Sequence, residues 1–246
     1  MLLSAMTTAQ VESYLDSRKL VLVPAGSTEQ HGPLAPVGCD AVIAEAISTR
    51  AADVTGVVCT PCLHFGMSSN HMAFAGTVSL EPATMSSVVR DVLVSLAAHG
   101  FRDMLILNGH GGNRGPCVAG MAEASLGSPG IRSRFLGYWE LPGAAEMELE
   151  LFGSGSGYHA TAAEVSMYMH LLPGFEPEPS SLRQYPHSPA PGAVLTAGEW
   201  RRAYPDGPAG VDARRIDPAS GARYFEFLVQ SLSAELLDWE RSGRAG

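Results

Sequence analysis

The stretch MLILNGHGGN, residues 104–113, joins two features that seldom meet by accident. Met104 to Leu107 is an unbroken apolar run, the pattern of a strand covered on both faces. It stops at Asn108 and a turn carrying Gly109, Gly111 and Gly112 around His110. A strand covered on both faces needs helices above and below its sheet, and the flanks supply them. Upstream, Pro82 opens a predicted helix that runs to His99 and is closed by Gly100. Downstream, a helix of small residues is expected from Arg114 to Leu126, then a strand from Ile131 to Tyr138.

The same alternation extends toward the N-terminus. Lys19 to Pro24 (KLVLVP) reads as a second buried strand, stopped by proline and Gly26. Residues 40–54 show helical spacing with Asp40 near the N-cap. Val57 to Thr60 is a short strand, and Thr77 to Leu80 is expected to extend again. His159 to Leu171 reads as a helix, and Phe225 to Trp239 as a closing amphipathic helix with Leu228, Leu232 and Leu236 four apart. Nine of the 17 prolines fall between Pro173 and Pro218, so 173–218 should be irregular and cover an opening or meet a neighbouring subunit. The expectation is an α/β fold with a largely parallel sheet, helices on both faces, and residues 1–246 as a single domain.

Composition narrows the function by exclusion. The formal charge of −9 opposes a nucleic-acid partner, which needs clustered Lys and Arg. No apolar run approaches the roughly 18 residues that span a bilayer. The opening MLLSAMTTAQ lacks the basic and long apolar parts of a signal peptide, and four cysteines suit a reducing compartment, so a cytoplasmic location is expected. Cys59-Thr-Pro-Cys62 has redox spacing, yet it follows a strand and enters a loop instead of opening a helix.

Three polar clusters carry the chemistry. Glu29 and His31 lie two apart, so in an extended segment they point the same way, and Asp40 can fold back toward them from the next helix. His110 sits in its glycine-rich turn, and His159 and Glu164 lie on or just before a helix. Carboxylates and imidazoles from three segments suit a divalent metal such as zinc, manganese or iron. Two metals sharing a carboxylate would hold a hydroxide nucleophile between them. His64, His71, His99, His170 and His187 are read as non-ligands. A phosphate-binding turn at 108–113 is disfavoured, because the stretch has neither the P-loop ending nor the GxGxxG spacing. Ser27 lacks a GxSxG elbow and is a poor nucleophile candidate.

PAGSTEQHGPLAP with Asp40, HMAFAGTVSL, LILNGHGGN, HATAAEVS and the late YPDGPAGVDARRIDPASGARYFE together resemble the creatininase family. The resemblance runs from about residue 20 to 230. It implies a three-layer α/β/α fold, about two metal ions per chain with zinc foremost, and a homo-oligomer, a hexamer. It makes Glu29, His31, Asp40, His110 and Glu164 the metal ligands, with Asp40 as the bridge. His159 becomes a proton-transfer residue outside the ligands, near the leaving nitrogen. The implied activity is a metal-dependent amidohydrolase that cleaves a C–N bond of a small molecule: an amide, cyclic amide or formamide. A peptidase-like maturation enzyme with the same ligands and a non-catalytic metal-binding scaffold are the alternatives. The chain departs from creatininase proper at Gly111-Gly112, where a Tyr-Glu pair is usual, and Glu164 is taken to replace the missing acid. The HAGxxET pattern is altered at Thr161, Ala162 and Val165, and only Trp139 offers a match for the tryptophans that close over creatinine. Creatinine is therefore not the expected substrate.

Overall fold

In a computed structural model describing residues 1–244, the sheet has four parallel strands. They are β1 (Leu20–Ala25), β2 (Val58–Cys59), β3 (Asp103–Asn108) and β4 (Arg132–Gly137), in the order β2-β1-β3-β4. Side chains along the two central strands alternate between two cores. Leu20, Leu22, Leu105 and Leu107 enter one, while Val21, Val23, Met104 and Ile106 enter the other. Both faces are apolar, which is why neither strand shows a polar period in the sequence.

The first core is covered by α2 (Cys39–Thr55), α6 (Ala162–Leu171) and α8 (Pro218–Arg244), with α5 (Ala144–Phe152) at its margin. Leu228, Leu232 and Leu236 of α8 are fully buried there, each contributing about 1.5–3 kcal/mol of apolar burial. The second core is covered by α1 (Thr8–Ser17), α3 (Pro82–Ala98) and α4 (Arg114–Gly127) through Tyr14, Met85, Val89, Leu93 and Met121. The result is the expected three layers.

From β1 the chain passes to β2 on one side, and from β2 it crosses to β3 on the other. The strand order therefore reverses between β1 and β3. Their carboxyl ends flank a crevice, where parallel sheets place ligands.

Several boundaries differ from expectation. Helix α6 begins at Ala162, because Thr161 caps it in a reciprocal box with Glu164. His159 lies before the helix and forms an isolated antiparallel bridge with Ala209. Around Thr77–Leu80 only Val78 pairs, with Thr28. Helix α8 starts earlier than Phe225, at Pro218, where the Asp217 carboxylate accepts from the Ser220 amide at 2.8 Å. Helices α1, α5 and the short α7 (Ala197–Ala203) were not anticipated. No helix among the described residues is long and apolar enough to cross a membrane.

Candidate metal centre

Residues following β1 and β3 meet the N-terminus of α2 at the crevice. The approach depends on glycine. A Cβ on Gly26 would lie 2.3 Å from the Ala41 Cα, and one on Gly109 would lie 2.5 Å from the Asp40 carbonyl oxygen. With hydrogens there instead, α2 packs onto both strand ends and places Asp40 between Glu29, His31 and His110. Two asparagines tie the turn down. The Asn113 amide donates to Gly26 O at 2.9 Å and to Asn108 Oδ1 at 3.0 Å, and accepts from the Met67 amide at 2.9 Å. The flanking asparagines of NGHGGN are thus scaffolding.

The imidazoles are oriented from behind. His31 Nδ1 donates to the Glu29 carbonyl at 3.2 Å, which leaves Nε2 facing Asp40 Oδ1 at 3.2 Å. His110 Nε2 donates to the Met67 carbonyl at 3.0 Å, which turns Nδ1 toward Glu29 Oε2 at 3.2 Å and Asp40 Oδ2 at 3.3 Å. Anchoring one ring nitrogen on a carbonyl commonly prepares the other to ligate a metal. His159 Nε2 lies 2.7 Å from the Gln30 carbonyl oxygen and 2.9 Å from the Gln30 side-chain amide nitrogen, and its Nδ1 lies 3.4 Å from Glu29 Oε1.

Glu29, His31 and Asp40 are at most 2% exposed. Their atoms Glu29 Oε2, His31 Nε2 and Asp40 Oδ2 are buried without a hydrogen-bond partner. Leaving a buried carboxylate uncompensated costs several kcal/mol. Ligand atoms converge in three groups: Glu29, Asp40 and His110; His31, Asp40 and Glu164; Glu29, His31 and His159. Oxygen and nitrogen donors in this number fit a divalent first-row metal. Asp40 belongs to two groups, presenting a different oxygen to each histidine.

The electrostatics agree with a cation-seeking site. Burial opposes charge on the His31 imidazole, but Asp40, Glu164 and Glu29 outweigh it and raise its pKa to about 9. His110 is raised well above its ordinary value against the same burial, chiefly by Glu29 and Asp40. Asp40 is pulled well below the usual carboxylate range by His31 and His110, although burial works the other way. Glu164 is half-buried, and desolvation lifts it to about 7 even though Thr161 donates to it.

All six residues singled out in the sequence are brought together. Glu164 reaches His31 and Asp40, while Gly112 cannot carry the acid usual there. A Cβ at Gly112 would lie 2.3 Å from Met67 O and 2.5 Å from the His110 ring. His71, read as a non-ligand and absent from the three groups, nevertheless lines the site. It is 2% exposed, stacks on His159 at 4.3 Å and meets the edge of Trp200 at 4.5 Å. Desolvation, aided by His110 and His31, lowers the His71 pKa to about 3. Ala160, beside His159, is fully buried with φ 54°, the one left-handed non-glycine residue among those described. A cavity of about 670 Å³ opens over the cluster, walled by Tyr138, Trp139, Glu148, Tyr158 and Trp200. Trp200 comes from α7, inside the Pro-rich segment.

Two other candidates fall away on chemistry. Ser27 is fully buried and shares a 2.5 Å hydrogen bond with Ser68. Burial pushes the Cys59 thiol up to about 12 and Cys62 well above its ordinary value, the reverse of a reactive pair.

The family described as Creatininase, creatinine amidohydrolase, matches residues 4–236. A creatinine amidohydrolase of Pseudomonas putida is 30% identical over 63% of this chain and 65% of its own length. A mycofactocin precursor peptide peptidase of Mycobacterium ulcerans is 31% identical over 70% of this chain and 64% of its own length. A 3-dehydro-scyllo-inosose hydrolase of Thermotoga maritima is 32% identical over 43% of this chain and 34% of its own length. The matched part thus spans about two thirds or less of these relatives. Among solved structures, a manganese creatininase superposes with a TM-score of 0.85 at 23% identity, covering 97% of this chain and 98% of that one. A related structure is of Zn-Zn type. The superposition shows a shared fold, and the family match over residues 4–236 establishes that the chain belongs to the Creatininase family.

Proposed function

We propose that the protein is a dinuclear metal-dependent amidohydrolase that cleaves a C–N bond of a small amide, cyclic amide or formamide. One observation carries this: Asp40 offers Oδ1 on the His31 side and Oδ2 on the His110 side, the arrangement a bridging carboxylate requires. Glu29, Asp40 and His110 would hold one divalent metal, and His31, Asp40 and Glu164 the other. When bound, the pair would supply an activated water and Lewis-acid polarisation of the carbonyl.

The chain's own residues supply the rest. Tyr138, Trp139 and Trp200 wall the cavity and hold a planar substrate. Burial keeps the His159 imidazole well below its ordinary pKa. Its Nδ1 can accept a proton and return it to the leaving nitrogen.

Elemental analysis of the purified chain beside Asp40→Ala is the test. About two zinc or manganese ions per chain, lost in the variant, are expected, followed by turnover of cyclic amides or formamides. A chain that carries no metal and takes none up would abolish the proposal. A second reading, peptidase-like maturation with the same ligands, is favoured by cavity size. About 670 Å³ exceeds what a single small ring needs and leaves room for a peptide end. Turnover of short peptides in preference to cyclic amides would select it.

A further inference from the structure

His71 is buried in the cavity wall, makes none of the metal-competent groups, and has a tautomer that its neighbours dictate. The chain of constraints starts at Gln30. Its Oε1 accepts from the Gly32 amide at 2.8 Å, and its Nε2 donates to the Gly207 carbonyl at 3.3 Å. Backbone groups on both sides therefore fix which end of the amide is nitrogen. That Nε2 also lies 2.9 Å from His71 Nδ1. An amide nitrogen can only donate, so Nδ1 must accept, and a neutral imidazole then carries its proton on Nε2. His71 Nε2 lies 3.1 Å from the Asn70 side-chain amide and 3.6 Å from Glu29 Oε1. Asn70 must accordingly present its oxygen there, since side-chain amide ends are set by their hydrogen bonds.

The neighbouring ring of His159 meets both kinds of Gln30 group at Nε2, the carbonyl oxygen at 2.7 Å and the side-chain amide nitrogen at 2.9 Å, so it is His71 whose tautomer Gln30 dictates.

We propose that His71 is a further catalytic residue: a hydrogen-bond donor, through Nε2–H, to the oxygen of the substrate's C–N unit, which takes the place of the Asn70 oxygen as acceptor, with Gln30 as its positioning residue. The proposal rests on the hydrolase reading above. A donor placed where charge develops on oxygen lowers the barrier most when it is already oriented, and removing such a donor costs about 100-fold or more in rate.

The test uses the full chain, zinc-loaded and ¹⁵N-labelled in its histidine rings, with zinc content measured on each sample. Nitrogen–proton correlation spectra should show His71 as the Nε2–H tautomer, and Gln30→Leu should release it into a tautomer mixture. Acetohydroxamate, a small amide-like probe, should shift the His71 Nε2–H signal. His71→Leu should bind this probe about tenfold more weakly at unchanged zinc content, and His71→Gln, which keeps a side-chain N–H, should recover most of the loss. An Nδ1–H tautomer, or wild-type probe affinity in His71→Leu, overturns the inference. Should His71→Leu fail to fold, the Gln30→Leu spectrum and the His71→Gln affinity decide it. A chain that takes up no zinc instead overturns the hydrolase reading, and the substrate contact with it, while the spectrum still decides the tautomer.

Discussion

Asp40 reaches the site only because two glycines let α2 close on the strand ends, and its two oxygens then face different histidines. Asp40→Ala should therefore lose both metals together, measured by elemental analysis; a variant with full metal content would sink the bridging role. Glu164→Gln should lose one of two, because Glu164 joins a single pair of partners, His31 and Asp40. Unchanged stoichiometry would shift the search to another ligand. His159→Ala should keep its metals and turn over slowly, and metal loss would make His159 a ligand. Gly112→Glu should not restore the familial acid, since its Cβ would collide with Met67 O and the His110 ring. We expect lowered thermal stability and no gain in metal content, and a rise in either would refute this. Glu29, His31, Asp40 and His110 were legible in the sequence because each lies just past a strand end or at the next helix start. His71 was not. Its loop carries no periodicity, and its partner Gln30 is 41 residues away in sequence.

At the level of elements, Thr161 and Glu164 share a capping box that does two tasks. Glu164 Oε2 accepts from the Thr161 amide at 2.8 Å, while Oε1 accepts from the Tyr138 hydroxyl at 3.3 Å on the cavity side. The cap thus fixes the rotamer that a metal would meet. Thr161→Ala should cost about 1 kcal/mol in chemical denaturation and about tenfold or more in metal affinity. Equal affinity in the two proteins would separate the cap from the site. The T-x-x-E signature at 161–164 was readable, yet helical spacing alone drew the helix back to His159. A cap is a local hydrogen-bond decision that outranks periodicity at an end. Short helices α5 and α7 escaped notice because two or three turns give too few apolar repeats to stand above loop composition.

At the scale of the whole molecule, two apolar cores pack the faces of the sheet while the carboxylates gather at its crevice, so folding and metal capture should be separable. Chelation should leave the far-ultraviolet spectrum unchanged while lowering the melting temperature. A site saturated about a thousandfold over its Kd contributes about 4 kcal/mol, or roughly 10 °C for a chain of this size. Loss of secondary structure on chelation would show that the metals hold the fold itself. The parallel layers were legible from two apolar runs and their glycine stops. The cavity wall was not, because Trp200 and Gly207 reach His71, His159 and Gln30 only through tertiary packing of the Pro-rich segment.

Ala160 has a consequence of another kind. A left-handed alanine stores about 1–2 kcal/mol of conformational cost, held there by its buried neighbours. Glycine would relieve that cost while giving the adjoining imidazole more freedom to wander. Durability and turnover would then pull in opposite directions at one methyl group, and breeding this protein for heat resistance would find Ala160→Gly early and regret it.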